Sequence, residues 1–439
     1  MGHVEKFFNK MMPAFMKFAN SKIVSALKDG FVLTMPLTLI GSVFMLIGNF
    51  PISNWNGIME SIFGAGWAAP LNQVTGATFD IIALVGVFGI AYSYAKSYDI
   101  DAVPSGILGI ISFLIVSKSF VVSESGEVIN GVIPKAWTAG QGMITAILVG
   151  LAVGAIYSLC IRKNLRIKMP ESVPPGVSNA FSALIPGFII ATLSMMVYII
   201  CDKTKGISMT EIIYEILQIP MQNLSDSLVG IIIIMALISI FWWFGLHGPN
   251  IVMGIMAPIL TANSLANQAV INAGQSLVVG ENAKIVTVQM VDIYAKFGGA
   301  GITLGLIIAA LIVAKSRQVK ELSKMALVPG IFNINEPVIF GLPIVFNPLM
   351  IIPFILVPIL AVLMTYFSIT LGFIEPFLAV QVPWTTPPIV SGFLLSGWQG
   401  AVLQIAILAM SIFMYLPFVK LQDKVSYNEE NKVNEDTNQ

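Results

Sequence analysis

Apolar runs of roughly 20 residues recur ten times along the chain, at about 31–50, 78–96, 102–121, 140–161, 182–201, 227–246, 250–267, 298–314, 347–368 and 399–417. A hydrocarbon core of about 30 Å is crossed by about 20 helical residues, so each run predicts one transmembrane helix. The long connection Asp202 to Asp226 carries Ile212, Ile213, Ile216 and Leu217 at helical spacing and predicts an amphipathic connector, 202–226. It divides an N-terminal membrane domain of five helices, 31–201, from a C-terminal membrane domain, 227–419. Residues 1–30 alternate lysines with Phe7, Phe8, Met11, Met12, Phe15, Met16 and Phe18, the pattern of an amphipathic surface helix rather than of a cleaved signal. The tail, 420–439, is charged and without apolar periodicity, which predicts a disordered segment.

Two apolar segments do not fit a simple span. Residues 326–346 contain Pro329, Gly330, Pro337, Gly341 and Pro343, and residues 370–397 contain Glu375-Pro376 and Gln381-Val382-Pro383-Trp384-Thr385-Thr386-Pro387-Pro388. Proline removes a backbone donor and restricts the residue before it, so neither segment is expected to form one continuous helix. Both predict re-entrant hairpins, entered from opposite sides and meeting near the midplane as broken elements of transporters do. The predicted fold class is therefore an all-α polytopic membrane protein of about ten transmembrane helices, with two re-entrant hairpins in the C-terminal half.

Composition sharpens this. Of 439 residues 56% are hydrophobic and 10% charged, against about 25% charged in a typical globular domain. The 23 basic and 23 acidic residues balance, and no basic run with interleaved aromatics suggests nucleic acid as a partner. With the N-terminus inside, most basic residues fall in cytoplasmic segments, leaving Lys118, Lys135, Lys203, Lys205, Lys284 and Lys296 outside; the positive-inside rule thus predicts both termini in the cytoplasm. Cys160 and Cys201 have neither a CxxC spacing nor a soluble domain around them, and read as core thiols. Two histidines, His3 and His247, are too few for a multi-histidine metal site, so no metal is expected. No Walker-type GxxxxGK[ST] and no nucleophilic triad motif is present, and no cofactor is expected.

Candidate chemistry lies in three places. Glu336 follows Asn333 and Asn335 and precedes Pro337; a carboxylate at the bilayer centre costs roughly 2.5–3.5 kcal/mol and usually marks a substrate or proton site. The residue before proline favours extended backbone, so Glu336 is expected just ahead of a short half-helix, its carboxylate and the neighbouring amides facing a cavity as ligands for sugar hydroxyls. The alternative is a structural carboxylate capping backbone donors. His247 sits in Phe241-Trp242-Trp243-Phe244-Gly245-Leu246-His247-Gly248-Pro249-Asn250, where glycines and proline break the helix beside an aromatic pair and Asn250. It is either a substrate contact or a satisfied core histidine, and the aromatics either line a site or form an interfacial belt. Trp384, among prolines and threonines, is a stacking platform for a sugar or a plug of its hairpin. Gly150-Leu151-Ala152-Val153-Gly154 has small-xxx-small spacing and serves either packing within one subunit or a dimer.

The stretches Gly330-Ile331-Phe332-Asn333-Ile334-Asn335-Glu336-Pro337-Val338-Ile339-Phe340-Gly341 and Trp242-Trp243-Phe244-Gly245-Leu246-His247-Gly248-Pro249-Asn250 together resemble the membrane component IIC of bacterial phosphoenolpyruvate-dependent sugar phosphotransferase systems, in the lactose/cellobiose/diacetylchitobiose branch. The resemblance implies a multi-pass protein of the bacterial cytoplasmic membrane, a homodimer contacting through its first five crossings, a β-linked disaccharide as substrate, and separate IIA and IIB proteins as partners alongside lipid. It implies phosphotransferase activity only together with those partners, a phosphocysteine of IIB phosphorylating the sugar 6-hydroxyl. Glu336 and His247 would hold that hydroxyl, Glu336 as a candidate general base, with Asn333, Asn335, Trp242, Trp243, Asn250 and Trp384 as further sugar contacts. From the residues alone a proton-coupled sugar symporter using Glu336 is the competing expectation.

Overall fold

The computed structural model describes residues 17, 21–123, 126–170, 172–342 and 344–437. Among them seven helices are long and apolar enough to cross a membrane: Lys22–Gly48, Ala69–Lys96, Gly140–Arg162, Gly176–Lys205, Gly248–Asn272, Ile351–Thr370 and Val390–Asn428. Met209–Ser225 and Leu228–Trp243, bent by 77°, make an eighth if joined, and Val103–Ile115 and Thr303–Val313 are shorter apolar helices. Every apolar run of the sequence thus has a helix, with the expected boundaries shifted. Among the described residues the one sheet is a small antiparallel hairpin, Phe120–Val122 with Val128–Asn130, whose start at 120–121 the expected third crossing had included.

The first boundary moves furthest. Residues 1–16 and 18–20 of the expected amphipathic helix lie outside the described residues, and the first apolar helix already starts at Lys22 rather than near residue 31. Ser21 caps it, its Oγ accepting from the Val24 N–H at 3.3 Å. Gly30 is no break but a packing contact: a Cβ there would lie 2.6 Å from the Ile90 backbone.

Contacts divide the chain into two units whose segments interleave. One comprises the described part of Met1–Gly41 with Gln73–Asn223 and Met253–Leu265; the other comprises Ser42–Asn72, Leu224–Val252 and the described part of Ala266–Gln439. The collinear halves expected from the sequence are therefore exchanged at 42–72 and at 253–265.

In the first unit Gly150 and Gly154 pack on the helix Ile82–Lys96 of the same chain, where added Cβ atoms would come 2.9 Å from Ile90 and 2.7 Å from Tyr94. The small-residue motif thus serves helix packing within the chain. The connector is docked here: Ser208 and Glu211 form a capping box, Lys118 reaches Glu211 at 2.5 Å, and buried Gln218 donates to the Gly140 carbonyl at 2.7 Å. Ile213 joins Ile144 and Ile259 in a buried cluster, while Ile216 and Leu217, beyond the turn into a π-helical segment, are exposed.

In the second unit the tail departs from expectation. The last helix runs Val390–Thr437, broken by non-helical backbone only at Ser396 and Gly397, so the segment after residue 420 is helical through Thr437 rather than disordered. Two of its acidic residues, Asp423 and Glu430, find partners. Asp423 accepts from the backbone N–H groups of Lys315 (2.8 Å) and Ser316 (2.9 Å), and Glu430 from those of Arg317 (3.0 Å) and Gln318 (2.8 Å) and from the Ser316 hydroxyl (2.6 Å). These are orphan donors at the start of helix Arg317–Ile331, which a carboxylate satisfies well.

The Ser316 hydroxyl above all, then the Gln318 N–H, holds the Glu430 carboxyl below the ordinary glutamate range. A depressed folded pKa means that the clamp's contribution is complete above the ordinary glutamate pKa and is lost as pH falls through the folded value. The thermal-stability advantage of the wild type over Glu430→Gln is accordingly expected to shrink on acidification through the carboxylate range and to vanish below it; a difference independent of pH would refute the clamp.

Candidate functional site

Both diagnostic stretches of the sequence fold as a helix stop followed by a new helix start. Helix Leu228–Trp243 ends when Gly245, at φ 75°, lets the Gly245 N–H bond the Trp242 carbonyl (2.8 Å) and the Leu246 N–H the Phe241 carbonyl (2.9 Å). His247 then caps helix Gly248–Asn272, its Nδ1 accepting from the Asn250 N–H at 3.2 Å. That bond fixes the neutral ring as the Nε2–H tautomer. Gly248 is required, since a Cβ would lie 2.0 Å from the Ile238 carbonyl oxygen.

Helix Arg317–Ile331 ends in the same way. It runs unbroken through Pro329, against expectation, and stops where Asn333 takes φ 66°; the Asn333 N–H bonds the Gly330 carbonyl (3.0 Å) and the Ile334 N–H that of Pro329 (3.0 Å). Helix Glu336–Gly341 follows at once. Glu336 is its first residue, not an extended one preceding it, because Pro337 in the first turn gives up only a donor that would be orphaned anyway.

Aromatic contacts join the two stretches. The Trp242 ring lies 4.5 Å from His247 at 45° and 6.2 Å from Phe340 in an edge-to-face contact. Phe340 is one helical turn beyond Glu336, on the same face of their helix. His247 and Glu336 are both exposed, and the Glu336 carboxylate has no hydrogen-bond or ion-pair partner among the described residues. The Trp242 indole N–H is buried without a partner among the described residues. Among the described residues Glu336 caps no backbone donor through its side chain.

The second broken segment reaches the same place. Residues 371–389 form no helix, as their prolines predict, and the chain then enters Val390–Thr437. Asn333 Nδ2 donates to the carbonyls of Trp384 (2.5 Å) and Thr386 (3.0 Å), while its Oδ1 accepts from the Gly298 N–H (2.5 Å). Asn335, 5% exposed, donates to the Ala300 carbonyl at 3.0 Å. A third irregular element thus enters, Gly298-Gly299-Ala300-Gly301, with its glycines at φ 68°, 96° and 83°; it delays the helix expected from 298 until Thr303. A Cβ on Gly299 would lie 2.3 Å from that of Asn335.

Irregular backbone inside a membrane protein must find its hydrogen bonds in protein. Buried amides supply them. Asn267 accepts from the Lys284 N–H and donates to the Lys284 and Phe377 carbonyls, Gln289 donates to those of Leu378 and Val380, and Gln404 binds the Ile389 and Gly392 N–H groups and the Ile293 carbonyl. Sequence reasoning missed these three, although an amide within an apolar run was the signal.

The expected site residues accordingly separate. His247 and Trp242 meet, and Phe340, one turn beyond Glu336 on its helix, touches Trp242. Trp384 presents its indole, 53% exposed, at the broken segment tied to Asn333. The amides of Asn333 and Asn335, expected to bind hydroxyls, are committed to backbone. Trp243 likewise donates its indole N–H to the Asn347 carbonyl at 2.7 Å and anchors that loop. Asn250 contributes its N–H to His247 and leaves its side chain exposed.

A polytopic helical protein in which three broken elements converge beside a free carboxylate and an aromatic-flanked imidazole has the architecture of a membrane transporter. A family model described as "Phosphotransferase system, EIIC" matches residues 28–358. The chain belongs to this family of multi-pass sugar permeases of the phosphotransferase system. It is 40% identical over 429 residues to the lichenan permease IIC component of Bacillus subtilis (strain 168) and 38% identical over 429 residues to the cellobiose-specific EIIC component of Geobacillus stearothermophilus, each match covering 96% of this chain and 94% of the relative. The crystal structure of ChbC, the IIC component of an N,N'-diacetylchitobiose-specific phosphotransferase system, superimposes with a TM-score of 0.90 at 38% identity, covering 97% of this chain and 99% of that one. Proton symport, the competing expectation, finds no support among these relatives.

Proposed function

We propose that this chain binds a β-linked disaccharide of the cellobiose or diacetylchitobiose type, carries it across the bacterial cytoplasmic membrane and presents its 6-hydroxyl to the phosphocysteine of a separate IIB protein, which IIA rephosphorylates. The observation that carries this reading is the exposed Glu336 carboxylate, unpartnered among the described residues, on a helix whose Phe340 meets Trp242 beside His247, in a chain whose relatives are named for cellobiose, lichenan and diacetylchitobiose. The Glu336 carboxylate accepts the hydroxyl proton as the sugar oxygen attacks phosphorus. The S–P bond breaks, the cysteine leaves as thiolate, and a charged sugar phosphate is trapped inside. His247 Nε2–H donates to the sugar, Trp242 and Trp384 flank its rings, and Asn333 and Asn335 position the carboxylate by fixing the backbone around it. Both termini lie in the cytoplasm, and the protein works as a homodimer within lipid.

Proteoliposomes holding the protein, with IIA, IIB and a phosphoenolpyruvate-driven phosphate supply enclosed, are expected to accumulate cellobiose as its 6-phosphate. Recovery of unmodified sugar alone would reject the reading. His247→Ala is expected to weaken sugar binding about tenfold and to cost about 1 kcal/mol through loss of the helix cap. His247→Asn restores a capping side chain but not the imidazole donor, so it should recover thermal stability without recovering affinity.

A further inference from the structure

Of residues 285–307 only Asp292 and Lys296 are not buried. The two form an ion pair, Lys296 Nζ to Asp292 Oδ1 at 2.6 Å, with side chains 30% (Asp292) and 18% (Lys296) exposed. Asp292 lies in the π-helical turn Met290–Ala295, and Lys296 follows that turn directly. Four residues apart, they share a face. Charges that retain surface within an otherwise buried stretch mark a polar opening rather than packed core, since a fully buried charge is costly.

The turn that carries the pair adjoins the site. The Lys296 carbonyl accepts from the Gly299 N–H at 3.0 Å, and Gly298 is the residue whose N–H meets Asn333, three positions before Glu336. The pair is not needed to hold the turn. Gln404 already bonds the Ile293 carbonyl, Gln289 ties the preceding position to Leu378 and Val380, and Tyr294 stacks on Phe377 with ring centroids 5.4 Å apart.

We infer that Asp292 and Lys296 are ligands of the sugar hydroxyls, an inference resting on the disaccharide-binding reading above. One carboxylate oxygen is engaged by Lys296, and the other, with no partner among the described residues, accepts from a hydroxyl; the ammonium retains two donors for hydroxyl oxygens. Acceptor and donors side by side match neighbouring hydroxyls of a pyranose. The pair as a whole is neutral, so a neutral sugar replaces its water without stranding a net charge. The pair thus selects for the hydroxyl pattern of the sugar, separately from the carboxylate that takes the proton.

Isothermal titration of the purified full-length protein with cellobiose tests this, alongside thermal unfolding. Asp292→Asn and Lys296→Met are each expected to raise the Kd about 10–100-fold, the range of a charge-assisted hydrogen bond, and in the complete phosphotransfer assay to raise KM by more than they lower kcat. The charge swap Asp292→Lys/Lys296→Asp keeps an ion pair in reversed order. It should restore thermal stability and leave affinity low. Wild-type affinity in the single variants, or recovery of affinity by the swap, would overturn the inference and leave the pair a structural one. If a single variant does not fold, Asp292→Glu and Lys296→Arg, which keep both charges and shift the heads, decide in its place by the same criterion. A wild-type protein that binds no disaccharide would instead reject the disaccharide reading itself.

Discussion

Glu336→Gln is expected to lower IIB-dependent sugar phosphorylation by about 10²–10⁴-fold, the usual contribution of a positioned general base, while disaccharide affinity falls no more than severalfold. The amide keeps the size and hydrogen-bonding reach of the carboxylate and loses only its capacity to take a proton. Its fold cost is expected to be small for a specific reason: the side chain is exposed and has no partner among the described residues, so no buried group is stranded by the change. Calorimetric titration of the variant with cellobiose, paired with a phosphotransfer assay at saturating sugar, separates the two roles. Equal losses in both would make Glu336 a ligand and not a base. Glu336→Asp keeps the proton acceptor but draws it back by one methylene, and should retain more turnover than the glutamine variant.

Much of this was legible because the bilayer makes polar positions expensive. Apolar length located a helix for every expected crossing, and the proline-rich stretch 371–389 is free of helix as its composition required. Glu336 and His247 stood out as a charged and a titratable residue inside apolar, glycine-broken segments. Less legible was how those breaks are made. Pro329 looked like a stop but lies within a helix, and Asn333, chosen as a sugar ligand, instead takes the left-handed conformation that ends that helix and turns its amide onto three backbone groups. An asparagine serves hydroxyls and peptide groups with the same atoms, so spacing does not tell the two apart. The helical tail was illegible for a related reason: Asp423 and Glu430 find their partners in the backbone N–H groups of a distant helix start, which no local pattern reports. Asn267, Gln289 and Gln404 escaped as well, since only the fold shows the irregular backbone each satisfies.

Gln404→Leu puts the greatest stress on that backbone and is expected to destabilise the protein by about 3–6 kcal/mol. Gln404 is fully buried; its Oε1 accepts from the N–H groups of Ile389 (2.5 Å) and Gly392 (2.9 Å), and its Nε2 donates to the Ile293 carbonyl (2.7 Å) and the Ser391 hydroxyl (3.0 Å). Gly392 and Gly400 make room for it: a Cβ on Gly392 would lie 2.6 Å from Gln404 Oε1 and 2.6 Å from the Gly400 carbonyl oxygen. Leucine fills a similar volume and satisfies none of the three backbone groups, each of which then costs about 1–3 kcal/mol. The measurement is thermal unfolding in detergent, with Ser391→Ala as the contrast; that change removes one hydroxyl while Gln404 keeps its backbone partners, and should cost about 1 kcal/mol or less. Sugar affinity is expected to fall with stability in the leucine variant, because the loop released at Ile389 is the one that Asn333 holds at Trp384 and Thr386. A leucine variant as stable as the wild type would mean that these peptide groups find other partners, and that the broken segment is not held in place from the helix behind it.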